Sequence, residues 1–188
     1  FLVSRTGWTG ELGFEIYTNG PNDNHGSLWD HLIESGKNLG IMTGGLDSMG
    51  IRRIEAGILD YGTDMNQENN PFEMGLGSFV DFKKENFIGK EQLFRMKKDR
   101  LFYGLTCKKM IPFGGLEILD NEQVVGHTTA GAFSPQFKSG IGYVLFKKKE
   151  NWPGKKLTLR SVDQTLYDCQ ITSLPFYDEN KKIPRGLA

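Results

Sequence analysis

Thr9-Gly-Glu-Leu-Gly-Phe-Glu15 runs on into Ile16-Tyr17 and is preceded by Arg5-Thr-Gly-Trp8, so two Thr/Gly turns bracket an aromatic residue and lead into a short extended run. Leu12, Phe14 and Ile16 alternate with Gly13, Glu15 and Tyr17, the period of a half-buried strand. The apolar face is expected to join a core. The other face offers a carboxylate and a phenol side by side, with Trp8 on the preceding turn placed to lean over them. A carboxylate accepts two parallel hydrogen bonds while aromatic rings cover a ligand's faces, so this arrangement suits a flat ligand with a guanidine-like edge. The plainer alternative is an edge strand with solvated Glu15 and Tyr17.

Ser4-Arg-Thr-Gly-Trp-Thr-Gly-Glu-Leu-Gly-Phe-Glu-Ile-Tyr17 resembles the signature of the folate-dependent aminomethyltransferase family, which comprises the glycine cleavage T-proteins and their demethylase and dehydrogenase relatives. Further blocks follow in family order: Ile51-Arg-Arg-Ile-Glu-Ala-Gly57, Tyr61-Gly-Thr-Asp64, Asn70-Pro-Phe-Glu-Met-Gly-Leu-Gly77, Phe87-Ile-Gly-Lys-Glu91 and Leu174-Pro-Phe176. One block alone is weak, but the ordered set is specific. Details at Trp8, 51–57 and 70–77 are most similar to the branch that contains dimethylsulfoniopropionate demethylase. Set against the family, the sequence begins roughly halfway along. The resemblance therefore puts the family's catalytic aspartate in the half before Phe1, and no catalytic residue is named here.

The 188 residues, 38% hydrophobic and 24% charged, are enough for one or two globular domains. Formal net charge is zero and the sequence pI is about 7.0, so the charge balance draws the chain neither to nucleic acid nor to an anionic membrane. No apolar run approaches the roughly 20 residues of a membrane span and no signal-peptide pattern opens the chain, so a cytoplasmic location is expected. Cys107 and Cys169 fit neither a disulfide framework nor a metal-ligand spacing and read as reduced, buried thiols. His25, His31 and His127 have no companions at ligand spacing, and no metal site is expected.

Gly20-Pro-Asn-Asp-Asn24 reads as a turn with cap-capable side chains, followed by a helix from about Ser27 to Asn38 with Leu28, Trp29, Leu32 and Ile33 as its apolar stripe. Thr43 or Asp47 could cap a second helix running to about Leu59, with Met49, Ile54 and Ile58 inward. Arg52, Arg53 and Glu55 on that helix read either as a solvated face with local ion pairs or, for Arg53 or Glu55, as a brace behind the Glu15 strand. After an irregular connection, Phe72 to Phe82 contains glycines that suggest close backbone approach and ends in a strand from Ser78 to Phe82. Glu73 is a candidate site carboxylate or a loop-fixing acceptor. A short helix covers Lys90 to Lys98.

From Leu101 the pattern becomes β-rich: 101–107, 116–119, 124–129, 141–146, 157–162 and 166–174, separated by turn signals. Six such strands predict an antiparallel β-barrel or jelly roll. The fold class is thus α+β. Residues 1–99 resemble the C-terminal part of the folate-binding aminomethyltransferase domain, and 100–188 form a C-terminal barrel domain. The Lys147–Lys156 run lies between two strands without a glycine-rich loop feeding a helix and reads as a solvated turn. The tail from Asp178 is expected to fray.

The resemblance implies tetrahydrofolate as cofactor, its pterin edge on Glu15 with Trp8 and Tyr17 lining the pocket and Arg53 and Glu73 supporting. A one-carbon unit, aminomethyl or methyl, would pass to folate N5 from a small-molecule donor or a lipoyl carrier protein. Two departures bear on this. Met49 stands where glycine cleavage T-proteins have an arginine that touches the pterin, which points toward the demethylase-like branch; and Asp178–Lys182 replaces a segment that reaches back with a tyrosine. Other family roles are the folate-handling region of a flavin-dependent sarcosine or dimethylglycine dehydrogenase, or a non-catalytic folate-binding relative.

Overall fold

The computed structural model describes residues 1–21 and 24–187; Asn22 and Asp23 of the expected Gly20–Asn24 turn, and Ala188 of the tail, lie outside the described residues. The chain opens with β1 (Leu2–Ser4), which pairs antiparallel with β2 (Glu15–Tyr17), Ser4 opposite Glu15. Helix α1 (His25–Gly36) is capped by Asn24, whose side-chain oxygen accepts from the Ser27 N–H at 3.0 Å. A 3-10 turn (Lys37–Leu39) and helix α2 (Leu46–Glu55) follow, then a second 3-10 turn (Gly77–Phe79) and α3 (Lys90–Arg95).

Helix α2 stops earlier than the sequence pattern predicts, and its cap is Gly45 rather than Thr43 or Asp47. Gly57 at φ +69° ends it: the Gly57 N–H bonds Ile54 O and the Ile58 N–H bonds Arg53 O, a left-handed termination that only glycine adopts freely. Pro175 packs where a Cβ on Gly57 would stand, 2.9 Å from its Cα. Two widely separated family blocks therefore meet at one point.

Six antiparallel strands close a barrel: β3 (Phe102–Cys107), β4 (Glu117–Asp120), β5 (Gln123–Ser134), β6 (Ser139–Phe146), β7 (Lys156–Arg160) and β8 (Leu166–Thr172), in the order β3-β6-β5-β4-β7-β8. Closure removes free strand edges. The barrel core joins Leu105, Ile118, Val144, Phe146, Leu159 and Ile171 with Trp152, whose ring stacks on Phe146 at 4.0 Å. Trp152 comes from the lysine-rich 147–156 run, where Lys148 and Lys155 pair with Glu150 and Lys149 with Asp99, so that run is a turn pinned by a buried indole, with three of its lysines ion-paired. A second cluster (Ile54, Met74, Phe102, Ala130, Ile141, Tyr143) joins α2 to β5 and β6.

Several expectations are corrected. Leu12, Phe14 and Ile16 do not join a core: they are 51%, 64% and 37% exposed, beside and on a strand only three residues long. No residue of α1 is buried, and its stripe residue Trp29 is 55% exposed. The segment 78–82 is not a strand: a 3-10 turn covers Gly77–Phe79 and residues 80–82 are irregular; Gly77 sits against Phe72, and the Phe79 and Val80 N–H groups bond back to Leu76 O and Gly77 O. The tail is held, with Asp178 accepting from the Lys182 and Ile183 N–H groups at 2.8 and 2.9 Å and Arg5 donating to Pro184 O at 3.3 Å. Among the described residues no helix is long and apolar enough to cross a membrane, and no group of three or more His, Cys, Asp and Glu could hold a metal ion.

Candidate functional site

The β1–β2 ribbon brings Glu15 and Tyr17 to one side, where Thr6 joins them. The Tyr17 hydroxyl donates to Glu15 Oε2 at 2.9 Å, and the Thr6 hydroxyl donates to the same oxygen. These bonds, Thr6 first and Tyr17 second, hold the Glu15 carboxyl below the usual carboxylate range against a small opposing effect of burial. Oε1 of Glu15 takes no hydrogen bond from the described residues. The side chain is thus a fixed, ionised acceptor with one oxygen open.

Trp8 is placed by a different set of groups. The Arg53 guanidinium lies 5.3 Å from its ring centroid and 5.9 Å from that of Tyr143. Arg53 is buried and pairs with Asp64 at 2.5 Å, and it also donates to Ile58 O at 3.3 Å. Asp64, itself buried, accepts from the Asp60 N–H at 2.9 Å and from the Thr129 hydroxyl of β5 at 2.7 Å. The Tyr143 hydroxyl faces the carbonyls of Arg53, Ile54 and Ile58 at 3.0–3.1 Å; burial first, then the Asp64 charge, raises its pKa. Arg53 therefore sits behind Trp8 rather than behind the Glu15 strand.

The next residue, Arg52, organises a second network that the solvated-face reading misses. It pairs with Glu11 and Glu55, and it donates to the Tyr177 hydroxyl at 2.9 Å and to Gln136 at 3.1 Å. Glu55 is 1% exposed, and its other oxygen accepts from Ser134 of β5. Both neighbouring arginines thus tie the N-terminal turns to a buried carboxylate, and each carboxylate to a β5 hydroxyl. The Arg52–Glu55 spacing of one helical turn is a visible signal. Nothing local announces that Tyr177, directly after the Pro-Phe pair, returns to Glu11 and Arg52.

A cleft of about 290 Å³ lies beside the ribbon, lined by Thr6, Gly10, Glu11, Gly13, Ile58 and Lys181. Ile58 and Lys181 also line a larger cleft of about 480 Å³ that runs toward Met65, Met74 and Phe102. Lys181 holds Ala56 O at 2.5 Å, and its burial lowers the ammonium pKa. Glu73 lies elsewhere in the fold. Its carboxylate accepts from the Asn70 N–H at 3.0 Å while Asn70 Oδ1 accepts from the Glu73 N–H at 3.1 Å, a reciprocal box that fixes the 70–77 loop. Met49 is 36% exposed on α2.

Residues 1–84 match the family model of the GCVT N-terminal domain, and residues 100–178 match that of the glycine cleavage T-protein C-terminal barrel domain. An aminomethyltransferase of Caldanaerobacter subterraneus subsp. tengcongensis is 39% identical over 185 residues, covering 96% of this chain and 49% of the relative. One from Alkaliphilus oremlandii is also 39% identical, covering 96% of this chain and 50% of the relative. The crystal structure of glycine cleavage system aminomethyltransferase T from Bartonella henselae shares the fold, with a TM-score of 0.80 at 24% identity over 93% of this chain and 49% of that one. The chain spans about half the length of the curated relatives it matches. With one model of the family on its first part, a second on its barrel, and relatives matching along 96% of its length, the chain belongs to the glycine cleavage T-protein family.

Proposed function

We propose that this chain supplies the folate-facing part of a tetrahydrofolate-dependent one-carbon transferase whose donor carries an aminomethyl group. The observation that carries this reading is Glu15, an ionised carboxylate locked by Thr6 and Tyr17 with one oxygen open. That residue fits the ring N–H and amino edge of a pterin, which needs a planar acceptor of fixed direction. Tetrahydrofolate, when bound, would supply N5 as acceptor of the one-carbon unit. The chain's own residues bind and orient it: Glu15 and Tyr17 at the edge, Trp8 along a face, Arg53 supporting Trp8, and Glu73 acting at a distance by fixing its loop. The chemistry such a site contributes is positioning in a sheltered environment.

The aminomethyl donor, free or on a lipoyl carrier protein, is favoured by the relatives, which are named aminomethyltransferases. Met49 favours a second reading, a methyl donor of sulfonium or N-methyl type, because it stands where the family's T-proteins carry an arginine.

The test is a tetrahydrofolate titration by calorimetry, with the chain alone and with the first half of the Caldanaerobacter relative added. Glu15→Gln should weaken binding by about 1–3 kcal/mol, roughly 5- to 150-fold, by leaving ligand donors unpaired. A dissociation constant unchanged by that substitution would remove Glu15 from the site. Turnover of an aminomethyl, an N-methyl or a sulfonium donor then separates the two donor readings.

A further inference from the structure

Strand β5 runs beside β6 with Gly126 opposite Phe146 and Thr128 opposite Val144, then resumes with Ala130 opposite Tyr143. Thr129 is therefore an extra residue with no partner on β6. A bulge of this kind bends its strand and re-aims a side chain, and such bulges gather beside functional sites. Here the re-aimed hydroxyl leaves the barrel and donates to Asp64 Oδ1 at 2.7 Å, across 65 residues of sequence. The loop beyond β3 accommodates the bulge with Gly114, where a Cβ would lie 2.6 Å from Thr129 O.

Asp64 is fixed on both oxygens. Oδ1 takes Thr129, and Oδ2 takes Arg53 at 2.5 Å and the Asp60 N–H at 2.9 Å, so the three donors come from the barrel, from α2 and from the loop after it. A carboxylate bound from three directions cannot turn, and the arginine paired with it is fixed in turn. The guanidinium then lies between the Trp8 and Tyr143 rings, 5.3 and 5.9 Å from their centroids. Tyr143 belongs to β6, directly across from the residue after the bulge. Trp8 is the one member of this series that the folate reading assigns to the ligand.

We propose that Thr129 is a positioning residue: through Asp64 and Arg53, the β5 bulge sets the plane of Trp8 and with it the affinity for the flat ligand. The ligand part rests on the folate reading above; the positioning of Trp8 does not.

The test separates the two. Acrylamide quenching of Trp8, taken as the difference between the chain and its Trp8→Phe variant, needs no folate. Thr129→Val, which keeps the shape and removes the hydroxyl, should raise Trp8 quenching, while Thr129→Ser should restore the parent value. Quenching unchanged in Thr129→Val, or raised equally in Thr129→Ser, would overturn the proposal. Should Thr129→Val not fold, Arg53→Lys, which keeps the charge on Asp64 but loses the flat face, is measured for the same rise, and no rise overturns the proposal.

Tetrahydrofolate titration forms the second arm. Thr129→Val should weaken binding by about threefold or more in the parent chain and add nothing in a Trp8→Phe background, as expected when two residues act through one contact. Fully additive losses would mean that Thr129 acts only on general stability and would sink the idea. A parent chain that binds no tetrahydrofolate even with the relative's first half added, yet shows the quenching pattern, would retire the folate reading and leave the positioning of Trp8 standing.

Discussion

Glu15 takes both of its hydrogen bonds on one oxygen, and this ties the site to pH in a definite direction. Its pKa is depressed, so the ionised form is favoured in the folded chain and is lost only as pH falls through that lowered value. Removing the larger cause, by Thr6→Val, should move the acid limb of tetrahydrofolate binding to higher pH, with Tyr17→Phe producing a smaller shift in the same sense. Dissociation constants measured across the carboxylate range check this, and an acid limb that stays in place would mean another group controls it. The Glu15–Tyr17 pair was legible in the sequence because residues two apart on a strand share a side. Thr6 was not, because its position depends on β1 pairing back onto β2. Cys169 behaves in the opposite way: burial, with Cys107 the next cause, pushes its thiol up to about 12, so it should resist iodoacetamide in the folded chain at mildly alkaline pH and react after denaturation.

At the scale of elements, α2 buries Ile54 of its expected apolar stripe and is tied to its surroundings by two arginines near its end. The Asp64 side chain is 0% exposed and that of Arg53 7%, so Arg53→Met leaves a buried charge without its counter-ion and should cost about 3 kcal/mol in urea unfolding, the low end for such a break because Thr129 and the Asp60 N–H still serve the carboxylate. In the barrel, Met110 and Pro112 lie across the glycines of β5 and β6. A Cβ on Gly140 would stand 2.1 Å from Met110 O and 2.9 Å from Cys107 O, so Gly140→Ala should destabilise by about 1–3 kcal/mol, read from the urea midpoint. The six strands of the barrel were recognisable from alternation, yet β5 was expected to stop at Thr129 and instead continues to Ser134. Its extension contains Ala130, Gly131 and Ala132, small residues that give no apolar period but allow the Pro112 loop to lie flat. The Arg53–Asp64 pair was hidden for a related reason: a charge on a helix looks solvated until the loop after it supplies the carboxylate and β5 the hydroxyl that holds it.

At the scale of the whole molecule, the buried apolar clusters gather in one region. The barrel and the α2 side of it contain the two core clusters, whereas Phe1, Leu2, Leu12, Phe14, Trp29 and Met42 are exposed around the ribbon and α1. Sequence reasoning placed the barrel well because every strand there meets its partner inside the chain. It overestimated the core under Leu12, Phe14 and Ile16, since alternation states which residues share a face and not what covers it.

Closure of the barrel sheet also has a consequence on the clock. Every strand from β3 to β8 has a neighbour on both sides, while β1 and β2 have only each other, three residues long. Exposing a barrel amide to deuterium requires opening the closed sheet, and exposing a ribbon amide requires fraying a single short pair. In native-state exchange the amides of Gly142 and Val144 should therefore keep their protons until the whole barrel unfolds, whereas those of Val3 and Ile16 should be replaced orders of magnitude sooner, and tetrahydrofolate should slow the ribbon selectively. A ribbon that exchanged as slowly as the barrel would instead belong to the same cooperative unit, and the site strand would be as rigid before a ligand arrives as after.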